Sequence, residues 1–203
     1  MEASGIILAG GRSSRMGRDK TLMPVEAETM IERTVRELRQ VTGEIIIASN
    51  QNEKYNLPDT LEVPDIFPGH GPLGGIHAGL KASHYPYAFV VAGDMPLFTA
   101  DLAAYFLTRA QAGFDVVAPQ ISGSWEPLCA VYARSCLPAI ERHLAAGIRQ
   151  VFQFYKEVRV LKIDEQELAA IGKTGESFYN LNTPEDYQAL LDRQQRGRPN
   201  TPG

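Results

Sequence analysis

The chain has 203 residues, 44% hydrophobic and 22% charged, the make-up of a globular protein rather than a disordered one. At about 150 residues per domain, one domain is expected, with a core large enough to need no disulfide. Twenty Lys and Arg against 24 Asp and Glu leave a net charge of −4. That balance excludes a strongly basic, nucleic-acid-coating domain, but not a small anion met by a few local cations.

Cys129 and Cys136 are the two cysteines, too few for a disulfide scaffold and wrongly spaced for a common zinc site. Buried free thiols in a reducing cytoplasm are expected. No apolar stretch approaches roughly 18 residues, and Met1-Glu2-Ala3-Ser4 carries no basic leader, so neither a membrane span nor a signal peptide is expected.

In chain order, Gly5 to Ala9 is an apolar strand ending at Gly10-Gly11. Residues 29–41 have helical period, with Ile31, Val35 and Leu38 on one face and Gly43 as the stop. Residues 44–49, with the β-branched run Ile45-Ile46-Ile47, read as a doubly buried strand, followed by a short strand over 60–63 and a helix over 73–83. Residues 87–92 are the clearest central strand, closed by Gly93-Asp94. A helix over 99–111 follows, with Thr99 as N-cap and Gly113 after its end. Further strands are expected at 115–118, 128–132 and 158–163, and a helix at 135–146. A closing helix over 184–191 has Thr183 as N-cap and Pro184 at its first position. The domain is expected to span 1–193, with a polar, Pro/Gly-rich and disordered tail from 194 to 203. Strand–helix alternation predicts a three-layer α/β sandwich on a mostly parallel sheet, with the returns near 128 and 160 as candidates to run antiparallel.

In such sheets ligands bind beyond the carboxyl ends of the parallel strands, and the unusual residues lie there. Leu8 to Lys20 places Gly10-Gly11 straight after the first strand and gathers Arg12, Arg15, Arg18 and Lys20 into nine residues, a pattern suited to a polyphosphate. It is no dinucleotide fingerprint, and Gly172-Lys173-Thr174 is a chance Walker fragment, because position 167 is Glu. Asp94, between Gly93 and Met95-Pro96, is placed to hold Mg2+ on a nucleotide's phosphates. Gly69 to Gly79 contains five glycines in eleven residues, enough to let a flat base lie on backbone. His70, His77 and His84 recur every seven residues, about 10.5 Å along a helix, too far apart to share an ion. Asn180 and Asn182 are candidates for a polar acceptor, and Trp125, beside Glu126 and Pro127, is either a stacking platform or core. No hydrolase elbow, Cys/His pair or zinc-protease motif appears, and transfer chemistry that works by positioning and electrostatics requires none.

Five motifs in order, Leu8 to Lys20 (L-A-G-G-x-S-x-R-M-G-x-D-K), Gly71 to Gly75, Gly93 to Pro96, Glu126 to Tyr132 and Asn180 to Asp186, resemble the molybdenum cofactor guanylyltransferases over residues 5 to about 191. The resemblance implies a Rossmann-like, glycosyltransferase-A-like nucleotidyltransferase fold, a three-layer α/β/α sandwich with a mixed sheet. It implies nucleotide contacts at Leu8, Ala9, Gly10 and Gly11, phosphate contact at Lys20, and guanosine contact at Asn50 and Asp65. Asp94 would hold GTP and Mg2+, Arg15 would assist Lys20 and Asp94 in catalysis, and Asn180 and Asn182 would face the pterin. The implied reaction joins GMP from GTP to molybdenum-bearing molybdopterin in the cytoplasm and releases diphosphate. Transient contacts with the cofactor-insertion enzyme and apo-molybdoenzymes go with it; nucleic acid and membrane do not. Gly11 favours GTP over CTP. The alternatives are a cytidylyltransferase making the cytosine dinucleotide and a nucleotide- or cofactor-binding protein without chemistry.

Overall fold

The computed structural model describes residues 2–9, 19–50 and 54–197. One sheet dominates. From one edge its strands run β10 (Val160–Ile163), β7 (Val116–Ile121), β9 (Cys129–Ala133), β6 (Tyr87–Ala92), β1 (Ser4–Leu8), β4 (Glu44–Ala48) and β5 (Thr60–Val63), with the short β8 (Ser124–Trp125) hairpinned to β7. All pairings along this path are parallel except those of β9, which is antiparallel to both β6 and β7. The expectation of an antiparallel return near 128 is met, but the strand near 160 is parallel to its neighbour. Asp115 shows why: its carbonyl accepts from Ala133 N at 2.7 Å, and its own N–H donates to Arg159 O at 2.8 Å. The end of β9 and the starts of β7 and β10 therefore share one rim.

Alternate strand residues feed two cores, as a period of two requires when both faces are covered. Ile7, Ile45, Ile47, Phe89, Val91 and Val131 pack with α1 (Met30–Leu38), α3 (Ala100–Ala110) and α5 (Glu165–Ala170). Ile6, Ile46, Val90, Val116 and Tyr132 pack with α2 (Pro72–Ala82), α4 (Leu137–Ala145) and the 3-10 segment Val151–Glu157. A small third cluster joins Leu190 of α6 (Pro184–Gly197) and Leu181 before it to Val25 and Met30.

Element boundaries shift for local reasons. Thr29 is the N-cap of α1 rather than its first residue, closing a reciprocal capping box with Glu32. The helix stops at Leu38, whose carbonyl accepts from Thr42 N and Oγ1 at 2.9 and 2.8 Å. Thr99 caps α3 by position alone; Ala100 N donates to Glu37 Oε2 at 2.9 Å, while Lys173 Nζ donates to Thr99 Oγ1 at 2.8 Å. That contact gives Lys173 a structural use in place of the rejected Walker reading. The hairpin of β2 (Pro24–Val25) and β3 (Glu28–Thr29) was not anticipated, since its turn holds Glu26 at φ 59° without Gly or Asn to announce it. The closing helix continues past the expected Leu191 to Gly197; residues 198–203 of the expected tail lie outside the described residues. Cys129 and Cys136 are buried free thiols, and burial pushes the Cys136 thiol up to about 12. Among the described residues no helix is long and apolar enough to cross a membrane.

The glycines of α2 decide how closely it approaches β1. A Cβ on Gly79 would lie 2.6 Å from Ile6 Cγ2, and one on Gly75 would lie 3.0 Å from Leu8 Cδ2. Gly75 and Gly79 are buried by this contact, so helix packing rather than a flat ligand accounts for these two of the five glycines in 69–79, whereas a Cβ on Gly74 would meet Phe67 O at 3.1 Å. Gly79→Ala should therefore overpack the α2–β1 seam and cost about 1–3 kcal/mol. At about 2–4 °C per kcal/mol for a chain this size, a melting temperature unchanged within 1 °C would contradict that packing.

Candidate active site

Strand order reverses between β1 and β6. The chain passes outward from β1 to β4 and β5, then crosses back to lay β6 on the other side of β1. Such a switch point leaves a crevice beyond the strand ends that no connection covers. Leu8 and Ala92 are register partners there, and Gly93 N donates to Leu8 O at 3.0 Å. The segments that leave the two strands carry Lys20 and Asp94, and their side chains meet: Lys20 Nζ lies 3.9 Å from Asp94 Oδ2.

Asp94 is fixed by the turn that holds it. Met95 is buried, Pro96 O accepts from Arg33 Nε of α1 at 3.0 Å, and Asp94 O accepts from Leu181 N at 3.0 Å. Its side chain is 27% exposed and that of Lys20 is 16% exposed, so their attraction is only partly screened by water. Burial pushes the Asp94 carboxyl above the ordinary carboxylate range, and Lys20 offsets part of that rise.

Lys20 begins the 3-10 turn Lys20–Leu22, which Asp19 caps by accepting from Thr21 N at 3.0 Å. Lys20 Nζ also donates to Asn182 Oδ1 at 3.3 Å, which draws the 180–182 segment into the same crevice. Asp186 secures that segment. It accepts from Asn182 N and Thr183 N at 2.8 and 2.7 Å, while its N–H donates to the expected cap, Thr183 Oγ1, at 3.1 Å. The Tyr179 hydroxyl, joined by those two N–H groups, pushes the Asp186 carboxyl down to about 2. Asn180 differs from Asn182: its Oδ1 is buried without a hydrogen-bond partner among the described residues, and its Nδ2 lies 3.5 Å from Phe178 O.

Asn50 and Asp65 form the other end of the crevice. Asn50 follows β4, is exposed, and its side chain hydrogen-bonds the Asp65 carboxylate, whose pKa burial raises and Asn50 lowers. Asp65 stands over the first turn of α2, where a Cβ on Gly74 would lie 3.5 Å from Oδ2. At about 4.8 Å per strand, the step from β6 to β4 and β5 is roughly 10–14 Å. That span separates the Lys20–Asp94 pair from the Asn50–Asp65 pair. Leu8 and Ala9, at the end of β1, lie between the two ends in strand order, with Ala9 N donating to Ala48 O at 2.9 Å. Gly10, Gly11 and Arg15 lie outside the described residues.

The remaining sequence candidates have other uses. His77 is buried in α2, 3.2 Å from Glu141 Oε1, and His84 pairs with Glu44; among the described residues no three His, Cys, Asp or Glu side chains form a metal cluster. Trp125, half-buried, packs edge-on against Tyr155 at the margin of the second core, with ring centroids 5.3 Å apart. Two features went unread in the sequence. Glu126, half-buried at the rim where β9 begins, has no hydrogen bond or ion pair to its carboxylate among the described residues, and burial raises its pKa. Asp19, Lys54, Tyr55 and Glu62 form a connected polar network behind Lys20. The E-P-L run signalled the first; the second links residues far apart in the chain, and no local pattern announces it.

Comparison with known proteins gives concordant matches. The family model of the MobA-like NTP transferase domain matches residues 5–160. A probable molybdenum cofactor guanylyltransferase of Pelotomaculum thermopropionicum is 41% identical over 186 residues, covering 92% of this chain and 90% of that protein. The molybdenum cofactor guanylyltransferase of Desulfosudis oleivorans is 37% identical over 186 residues, covering 91% and 92%. Among solved structures, molybdopterin-guanine dinucleotide biosynthesis protein A of Archaeoglobus fulgidus has a TM-score of 0.81 at 25% identity, covering 95% of this chain and 99% of that one.

The raised pKa of Asp94 has a stability consequence of defined sign. A carboxyl whose folded pKa lies above its unfolded value of 3.8 stabilises the fold only while protonated, and that contribution is lost as pH rises through the folded pKa. Asp94→Asn should therefore raise the melting temperature at pH 7, and the gain should shrink as pH falls toward 3.8. A lower melting temperature at pH 7 would show that the Lys20 attraction outweighs the cost of burial.

Proposed function

The chain belongs to the MobA-like NTP transferase family, and from that premise we propose that it transfers GMP from GTP to molybdenum-bearing molybdopterin, releasing diphosphate. The observation that carries the reading is the meeting of Lys20 and Asp94 at the switch point of the sheet, 3.9 Å apart.

The residues divide the substrates between them. Leu8, Ala9 and the glycines that follow receive the nucleotide along the backbone, with Lys20 and Arg15 on its phosphates. Asn50 and Asp65 offer an amide and a carboxylate to the base. Guanine presents a ring N–H beside an exocyclic amino group, two donors that a carboxylate can accept together, whereas cytosine lacks that pair. The cytidylyl alternative is accordingly not favoured. Asn180, Asn182 and Glu126 are the polar groups left for the acceptor, whose pterin ring carries a similar donor pair.

In the transfer step an oxygen of the acceptor's terminal phosphate attacks the α-phosphorus of GTP, and the bond from that phosphorus to the bridging oxygen of the diphosphate breaks. A phosphate monoester with second pKa near 6 is already mostly dianionic at neutral pH, so no general base is needed. Lys20 supplies a fixed positive charge to the α-phosphate and departing diphosphate in a partly desolvated crevice, where such charges act most strongly. Asn182, hydrogen-bonded to Lys20, keeps the ammonium directed at that space. Alignment of attacker and leaving group supplies much of the remainder.

Mg2+ fits the donor set. Asp94 offers a partly exposed carboxylate whose cationic neighbour stands at 3.9 Å rather than in tight contact, and Mg2+ characteristically takes one or two carboxylates with the rest of its shell from substrate phosphates and water. Held by Asp94, it would neutralise charge on the phosphates. A cytoplasmic setting and brief docking with the proteins that supply and receive the cofactor follow from this reading.

Asp94→Ala should fold normally and lose about 10²–10³-fold in diphosphate release, the scale of removing one electrostatic stabiliser. Release at the wild-type rate would remove Asp94 from the mechanism. Calorimetric titration with Mg-GTP and Mg-CTP tests the nucleotide: tighter binding of CTP would overturn the guanine assignment.

A further inference from the structure

Glu62, half-buried on β5, accepts from three successive backbone N–H groups of the β4–β5 connection: Lys54 at 3.0 Å, Tyr55 at 2.9 Å and Asn56 at 2.9 Å. Three donors on one carboxylate hold that backbone stretch closely, and they decide where the side chains of Lys54 and Tyr55 go. Lys54 Nζ pairs with Asp19 Oδ2. Tyr55 is 8% exposed and places its hydroxyl 3.1 Å from Ala9 O and 3.0 Å from Thr21 Oγ1. Thr21 spends its proton on Asp19 Oδ1 at 2.7 Å, which leaves a lone pair to receive Tyr55. The single phenolic proton therefore serves both the Ala9 carbonyl and Thr21. Burial raises the Tyr55 phenol, which keeps that proton in place at neutral pH.

This network ends on the groups that grip phosphate. Asp19 caps the three-residue turn that Lys20 begins, and Ala9 is the last residue before the glycine pair. Thr21 packs on the turn opposite: a Cβ on Gly93, beside Asp94, would lie 2.9 Å from Thr21 Cγ2. A 3-10 turn this short has little stiffness of its own, so its placement depends on what it is tied to. The β4–β5 connection that supplies the ties also carries Asn50 at its start, and Asp65 follows β5.

We infer that Tyr55, Glu62, Asp19 and Lys54 form a positioning assembly that sets Lys20 against Asp94 and locks the phosphate end of the crevice to its base end, with the Tyr55 hydroxyl as the joint. The inference rests on the nucleotidyl-transfer reading and extends it to residues that touch neither substrate. A displacement of about 1 Å in a charged group is enough to lower a rate by two orders of magnitude, so removing one buried hydroxyl is a sufficient perturbation.

The test uses the full chain with Mg-GTP and the acceptor. Tyr55→Phe keeps the ring and removes only the joint, and should raise the KM for GTP roughly 5- to 20-fold while the KM for the acceptor stays within about twofold. Glu62→Gln, which replaces one accepting oxygen by a donor, should give the same selective change, and the double variant should be no worse than Glu62→Gln alone because both act through one device. Ser83→Ala, which removes a buried hydroxyl near Ser4 at the opposite end of the sheet, should leave both KM values at wild type. Wild-type kinetics in Tyr55→Phe, or an equal rise in both KM values, would overturn the inference. Absence of guanylylated product from the wild-type protein would overturn the transfer reading instead; calorimetric binding of Mg-GTP to wild type and Tyr55→Phe would then decide the positioning role, weaker binding supporting it and equal or absent binding in both overturning it.

Discussion

Leu8 and Ala92 lie side by side in parallel register, and the chain leaves the sheet from both in the same direction. That single alignment places the cation-bearing segment after β1 against the acid-bearing turn after β6. With β4 and β5 on one side of β1 and β6 on the other, no helix among the described residues connects the two strands across the gap between their exits. The Lys20–Asp94 meeting is thus a consequence of strand order. A register shift of one residue in β1 would turn Ile6 and Ile7 to the wrong cores and move Lys20 with them.

The structure around this point trades stability for placement. Asp94 is held where burial opposes its charge, and the compensating ammonium stops at 3.9 Å. Such a site persists because its surroundings are rigid: Arg33 holds the Pro96 carbonyl, Leu181 N holds the Asp94 carbonyl, and α2 lies against β1 through glycines that admit no side chain. Asp65 at the other end repeats the pattern, with a carboxylate raised by burial and eased by Asn50. Carboxylates under this tension gain most when a metal ion or donor groups of a ligand arrive.

Much of this was legible in the sequence. Continuous apolar runs such as 44–48 and 87–92 announce doubly covered parallel strands, and the glycines, cations and acid that follow them mark the carboxyl-end rim. What was not legible depends on contacts between distant residues. The direction of β10 is decided where Asp115 joins residues 133 and 159. The β2–β3 hairpin turns on a glutamate at positive φ, which no turn preference predicts. The glycines of 69–79 read as a ligand surface because composition alone cannot distinguish backbone open to a base from backbone pressed against Ile6. Glu62 looks like an ordinary strand residue until its three N–H donors are seen. Residues 10–18, which carry Gly10, Gly11 and Arg15, lie outside the described part, so their roles rest on the motif and the resemblance.

The most direct measurement is a crystal structure of the protein with Mn2+ and a non-hydrolysable GTP analogue, read by anomalous scattering from the manganese. The account predicts a peak at the Asp94 carboxylate, phosphates beside Lys20, and guanine against Asn50 and Asp65. Triphosphate and metal bound elsewhere, for instance in the cleft of about 370 Å3 among Leu97, Glu176, Tyr179, Leu190 and Arg193, with Lys20 and Asp94 untouched, would contradict it.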